Sequence, residues 1–180
     1  MQTLMNAQIR DAIQRRQTIL VVGTTGSGRT QLLYEMADEA AALFPGEGVA
    51  VLCEIDERVK AVPDNLTVYA SLSRSSVGSR QVSPDIRKAN RWLFADELRD
   101  NAAGLLDAWR LGHAGAAALH GSTVDKALTR LEEIVAPVAG AAAKRLTGSI
   151  DIVVLLEITD EGRQIKDIKV LNHTPRLRLV

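Results

Sequence analysis

The feature that most constrains the fold is a glycine-rich segment between a short apolar run and a longer stretch rich in Leu and Ala. The apolar run covers residues 18–22 and is dominated by β-branched side chains, which is typical of a strand buried on both faces. The stretch over residues 31–44 favours a helix, which Pro45 and Gly46 would end. The segment between them reads Gly23, Thr24, Thr25, Gly26, Ser27, Gly28, Arg29 and Thr30. A strand, a glycine-rich loop and a helix in this order predict a phosphate-binding loop.

The spacing of the glycines suits this chemistry because backbone N–H groups must converge on phosphate oxygens without side chains in the way. The following helix directs its positive end at the same anion. Thr30 stands where a hydroxyl reaches Mg²⁺. We therefore expect residues 23–30 to bind ATP with Mg²⁺; the alternative is a glycine-rich turn without a ligand.

Arg29 departs from this motif, in which lysine is expected. A lysine places a compact ammonium between two phosphates, whereas a guanidinium is planar, larger and binds as a fork. We expect phosphate binding to persist in altered form and hydrolysis to suffer more.

The remaining periodicity alternates between strands and helices. It predicts strands at 49–55, 66–70, 92–95 and 116–119, helices at 84–90, 102–111 and 123–136, and a mobile loop at 71–83. A hairpin is expected from strands 150–158 and 164–171 around a turn at 159–162. Buried strands alternating with helices predict a mostly parallel sheet with helices on both faces, and the hairpin adds antiparallel strands at an edge. The expected fold is a single three-layer α/β domain over residues 1–180.

The composition bears on which partners the protein binds and on where in the cell it is located. Lys plus Arg and Asp plus Glu number 22 each, so the charge gives no signal for direct binding to nucleic acid or a membrane. The single cysteine, Cys53, lies in an apolar run and is expected to be buried and structural. Because no run has the roughly 20 apolar residues of a membrane span and residues 1–16 lack an apolar signal core, we expect a cytoplasmic protein.

A later segment makes the prediction more specific. Residues 105–120 read LLDAWRLGHAGAAALH, and residues 123–135 continue with ALTRL at 127–131. These runs strongly resemble the secretion ATPase superfamily, and within it the ATPases of conjugative plasmid transfer, over residues 7–170. The resemblance implies a RecA-like motor domain that hydrolyses ATP, assembles as a homo-hexamer and works with conjugation or secretion machinery at the inner membrane.

The resemblance also implies roles for single residues. Glu54 matches the acidic-box glutamate, Glu97 matches the Walker B acid at the end of a core strand, and His120 matches the His-box residue near the γ-phosphate. Glu97 would also reach Mg²⁺ through water. Arg87 matches a family arginine more loosely. The alternatives are carboxylates solvated at strand ends and a core histidine; His113 and Trp109 are expected to be structural.

Several positions differ from the family pattern. Arg29 replaces Lys, Asp96 replaces Gly and Asn90 replaces Pro, while Ala118 and Ser122 stand where Thr and Asn are usual. Together they suggest a motor that is slow, specialised or no longer catalytic. The family's separate N-terminal domain is expected to be absent from this sequence.

Three functions follow, in order of preference. The first is an ATPase that couples ATP hydrolysis to macromolecule transfer or pilus assembly. The second is a subunit that binds nucleotide, hydrolyses it poorly and regulates or scaffolds such a ring. The third, a P-loop kinase, ranks last, because it would need an arginine-rich lid and would leave the segment at 105–120 unexplained. Residues 71–87 contain only three arginines, Arg74, Arg80 and Arg87.

Overall fold

The structure is a computed structural model that describes residues 3–54, 61–70 and 82–171. Its strands are β1 (Thr18–Gly23), β2 (Val49–Cys53), β3 (Leu66–Ala70), β4 (Trp92–Ala95), β5 (Gly115–His120), β6 (Ile152–Thr159) and β7 (Gly162–Val170). Its α-helices are α1 (Ala7–Gln14), α2 (Arg29–Leu43), α3 (Pro84–Ala89), α4 (Ala102–Arg110), α5 (Val124–Ala139) and α6 (Ala143–Thr147). None of the helices within the described residues is long and apolar enough to cross a membrane.

The strands form one sheet in the order β3-β2-β4-β5-β1-β6-β7. Every pairing is parallel except that of β6 with β7, which is antiparallel. Helices α1 and α2 contribute to the apolar core on one face, and α3 to α6 contribute to the core on the other. The three-layer, mostly parallel α/β fold is thus confirmed, with the hairpin at one end of the sheet.

Strand β1 lies at the centre of this arrangement. All six of its residues are buried, and it pairs with β5 on one side and β6 on the other. A strand buried on both faces has to be apolar throughout, which explains the β-branched run that precedes the glycine-rich loop.

Some boundaries differ from the sequence expectations. Helix α2 begins at Arg29, two residues earlier than predicted, because the loop turns directly into the helix. Helix α5 continues to Ala139 with Pro137 inside it, and the short α6 was not predicted. Strand β6 is parallel to β1, so β7 alone runs antiparallel to its neighbour. Most of the predicted mobile loop, residues 71–81, lies outside the described residues, as does residue 55 at the end of the predicted second strand.

The start of β5 depends on a glycine. Gly115 has a φ of +144°, and a Cβ built there would lie 2.0 Å from the backbone oxygen of Leu93. Since the obstacle is backbone of the neighbouring β4 region, no side-chain rotation can relieve the clash.

We therefore expect Gly115→Ala to lower the free energy of unfolding by about 3 kcal/mol or more. Urea denaturation followed by circular dichroism measures the change. Gly46→Ala is the matched control, because a Cβ at Gly46 meets nothing within 4 Å. Equal stabilities for the two variants would contradict the tight packing of β5 against β4.

Candidate functional site

The carboxyl ends of four neighbouring strands meet at one edge of the sheet, since β1, β2, β4 and β5 are all parallel. Strand β1 runs into the loop at residues 23–30, and β5 ends at His120, which is in register with Gly23. Glu54 follows β2, and Asp96 and Glu97 follow β4. The edge therefore collects the glycine-rich loop, Glu54, Glu97 and His120.

The loop has the backbone geometry that its glycines permit. Gly26 and Gly28 have φ values of +80° and +96°, which residues other than glycine rarely adopt. The Ser27 N–H donates to the Thr24 carbonyl at 3.2 Å, and a Cβ at Gly23 would lie 2.2 Å from the Ser27 hydroxyl oxygen. Helix α2 starts directly after Gly28, and no side chain caps its first backbone N–H groups, which suits a bound anion.

Ser27 is fully buried, and within the described chain its Oγ has no hydrogen-bond partner. A buried hydroxyl without a partner is costly unless another group satisfies it. The glycine cradle, the uncapped helix start and this hydroxyl together suit an anion with several oxygen atoms.

Arg29 and Glu97 form an ion pair in this structure. The Nη1 of Arg29 lies 2.8 Å from the Oε2 of Glu97, and both side chains are largely buried. The other carboxylate oxygen of Glu97 accepts the backbone N–H of His120 at 3.3 Å. The structure thus joins three predicted positions, from α2, the end of β4 and the end of β5, around a single carboxylate.

A cleft of roughly 630 Å³ opens beside this pair, a volume within the range typical of ligand sites. The residues that line it are Thr25, Arg29, Glu97, Leu98, Arg99, His120, Arg130 and Ile134. Arg99 and Arg130 were not predicted as site residues. The helical period of α5 gives no signal for Arg130, because this residue is exposed and lies off the face formed by Val124, Ala127, Leu131 and Val135.

Glu54 and Asp96 form the neighbouring part of the edge. The backbone N–H of Glu54 donates to Oδ2 of Asp96 at 3.3 Å, and both residues line a smaller cavity together with Glu97. Burial raises the pKa of Asp96 to about 6, and the charges of Glu97 and Glu54 act in the same direction. Asp96 therefore changes its charge near neutral pH beside the predicted catalytic carboxylates.

The other predicted positions have these surroundings. Thr30 is half-buried in the first turn of α2. No group of three or more His, Cys, Asp and Glu side chains that could hold a metal occurs among the described residues. Arg87 bonds to Asp107 and to the carbonyls of Val82 and Gly104, so its contacts join α3 to α4.

The residues expected to be structural agree with that expectation. Both ring nitrogens of His113 lie about 3 Å from backbone carbonyls, of Ala108 (3.1 Å) and Arg87 (3.0 Å), around the turn that ends α4. Trp109 and Cys53 are buried.

Comparisons with solved structures define the class of fold. The VirB11 ATPase of the Brucella suis type IV secretion system, in complex with sulphate, matches with a TM-score of 0.73 and 20% identity over 90% of this chain and 50% of its own. The pilus retraction motor PilT with bound ADP matches with a TM-score of 0.72 and 17% identity over 93% of this chain and 51% of its own. The Legionella pneumophila ATPase DotB matches with a TM-score of 0.69 and 18% identity over 94% of this chain and 49% of its own. The chain therefore has the RecA-like fold of the secretion ATPases.

Sequence comparison identifies the relatives more closely. The chain is 31% identical over 165 residues to a probable conjugal transfer protein TrbB of Sinorhizobium fredii, covering 90% of this chain and 50% of the relative. It is 29% identical over 167 residues to the conjugal transfer protein TrbB of Rhizobium radiobacter, covering 89% and 50%. The chain is thus homologous to the TrbB conjugal transfer proteins and spans about half of their length. No protein-family model matches it.

The raised pKa of Asp96 generates a stability prediction. The folded state favours the protonated carboxyl of Asp96. The contribution of this carboxyl to the free energy of unfolding is therefore complete below its ordinary pKa near 4, and it is lost as the pH rises to about 6. We expect Asp96→Asn to stabilise the fold by about 1–2 kcal/mol at pH 8 and by little at pH 4. Thermal unfolding across that pH range measures the difference.

Asp64→Asn is the control, because Asp64 is exposed and lies before β3, away from the carboxylate group. We expect no comparable stabilisation at pH 8 from this change. A pH-independent effect of Asp96→Asn would contradict the raised pKa.

Proposed function

We propose that this chain is the nucleotide-binding motor domain of a conjugative-transfer or type IV secretion ATPase. The observation that carries the proposal is the Arg29–Glu97 pair with His120, set beside a glycine loop whose helix N-terminus is open. A cation on the loop and a carboxylate on a neighbouring strand end are the two charges that phosphoryl transfer needs.

The residues of the loop fit a triphosphate. The backbone of residues 23–30, the buried hydroxyl of Ser27 and the guanidinium of Arg29 would hold the phosphates of ATP. Thr30 and Glu97 would hold Mg²⁺, Glu97 through water, and the metal would neutralise charge on the phosphate oxygens. A VirB11 structure contains sulphate and a PilT structure contains ADP, which supports an anion and nucleotide site on this fold.

Arg29 and Glu97 determine how the site would work. Arg29 cannot remain solely with Glu97 while it binds phosphate, so ligand binding has to exchange part of that pair for phosphate contacts. Glu97, released from Arg29 and oriented by the His120 N–H, can then accept a proton from water. Glu54 is the second carboxylate at this edge and would help to orient the same water. His120 would sense the γ-phosphate.

The larger setting belongs to the same proposal. The similar proteins are conjugal transfer proteins and an ATPase of a type IV secretion system, which supports association with such machinery. The domain would act in the cytoplasm as part of a homo-hexameric ring, at the inner membrane through its partners.

One observation favours the second candidate, a subunit that binds nucleotide but hydrolyses it poorly. The guanidinium of Arg29 makes a short charge-assisted bond to the carboxylate that would activate water, and such bonds are about twice as strong as neutral ones. A persistent Arg29–Glu97 bond would keep Glu97 from acting as a base.

Turnover of the parent chain distinguishes the two candidates, and Arg29→Lys tests whether Arg29 limits it. We expect the lysine variant to bind Mg-ATP and to turn over about tenfold faster or more, because a compact ammonium can bridge the phosphates and leave Glu97 to water. Calorimetric titration with Mg-ATP and a steady-state phosphate-release assay are the measurements. Binding without turnover in both forms would favour the scaffold, whereas no binding in either form would reject both candidates.

Glu97→Gln tests the carboxylate itself. The amide keeps a similar shape but cannot accept the proton, so turnover should fall about 100-fold or more. ATP affinity should be unchanged or tighter, because Arg29 loses its anionic partner. Glu133→Gln on the exposed side of α5 is the control and should match the parent chain. Undiminished turnover in Glu97→Gln would remove Glu97 from the catalytic group.

A further inference from the structure

The surroundings of the phosphate loop differ on the two sides of β1. On the side of β5, β4 and β2 lie Glu97, Glu54 and His120. On the other side lie β6 and β7. Because β6 is parallel to β1, the turn between β6 and β7 lies at the same edge of the sheet as the loop.

Two side chains of this hairpin contact the loop. The Cδ1 of Ile158 lies 3.6 Å from the position a Cβ would take on Gly26, and the Cδ of Arg163 lies 3.2 Å from that position on Gly28. These contacts show that the hairpin borders the part of the loop whose glycines have positive φ.

Both side chains are available to a ligand. Ile158 is 54% exposed, which is unusual for a large apolar residue next to a polar loop. Arg163 is exposed, and its Nη1 bonds to the neutral amide oxygen of Gln31 on α2 at 3.2 Å. Within the described ranges, no carboxylate lies at ion-pair distance from this guanidinium.

We propose that Ile158 and Arg163 form the nucleoside-binding part of the site. This inference rests on the proposed function, because it takes the triphosphate to lie in the loop with its terminal phosphate toward Glu97. A nucleotide is elongated, so its base then extends to the opposite side of β1, where the hairpin stands. An exposed aliphatic side chain packs against a flat base, and a planar guanidinium stacks on its face.

The arrangement predicts what the hairpin recognises. The hairpin makes the site bind a nucleoside triphosphate more tightly than inorganic triphosphate, because inorganic triphosphate contacts the loop but not the hairpin. Gln31 acts as a positioning residue, because it holds the Arg163 guanidinium from α2, the helix that follows the loop.

The test compares ATP with inorganic triphosphate, each with Mg²⁺, by calorimetric titration of the whole chain. We expect Ile158→Ser and Arg163→Gln each to weaken ATP binding about five- to tenfold and to leave triphosphate binding unchanged. Both residues are exposed, so the variants should fold, and circular dichroism checks this.

Lys169→Gln is the matched control. Lys169 is a cation on the same strand, six residues from Arg163 and thus about 20 Å away, toward the opposite edge of the sheet. This variant should bind ATP and triphosphate as the parent chain does.

The outcomes separate the inference from the proposed function. A parent chain that binds neither ligand rejects the proposed function. A parent chain that binds ATP no better than triphosphate, or hairpin variants with unchanged ATP affinity, overturns the nucleoside assignment alone. Equal losses of both ligands in a folded variant also overturn it, since Arg163 or Ile158 would then serve the phosphates.

Discussion

The backbone pairing of β1 with β5 and β6 is the constraint on which the candidate site depends. Because the three strands are parallel and in register, Gly23 lies beside His120 and the loop emerges next to the end of β5. The pairing continues outward, since the Leu98 N–H donates to the Ala118 carbonyl at 2.9 Å and places Glu97 over the same edge. The candidate site is therefore positioned by main-chain hydrogen bonds between buried strands.

Electrostatics then decide how the edge behaves. Glu54, Asp96 and Glu97 bring three carboxylates together, and the cation Arg29 pairs with Glu97. Burial and the two neighbouring carboxylates raise the pKa of Asp96 to about 6. Arg in place of Lys thus keeps the cation but makes it planar, and Asp in place of Gly adds an acid that titrates near neutrality.

The two sides of β1 offer different chemistry to an elongated ligand. The side of β4 and β5 is charged, and the side of β6 and β7 presents an apolar side chain and a guanidinium next to the loop. This division follows from the strand order, in which β1 separates the two sets. It also explains why a hairpin that looks like a peripheral addition in the sequence becomes part of the proposed nucleotide site.

The sequence by itself determined the strand–loop–helix unit around residues 23–30, the alternation of strands and helices, and the C-terminal hairpin, because glycine spacing and apolar periodicity are local signals. It did not reveal α6, whose five residues are too few for a clear period and which is stabilised by packing of Leu146 against the core. Only the tertiary structure decided that β5 lies beside β1, that Arg29 bonds to a carboxylate 68 residues away, and that Arg163 meets Gly28. These contacts join elements that are far apart in the chain, and local periodicity carries no information about which strand ends become neighbours.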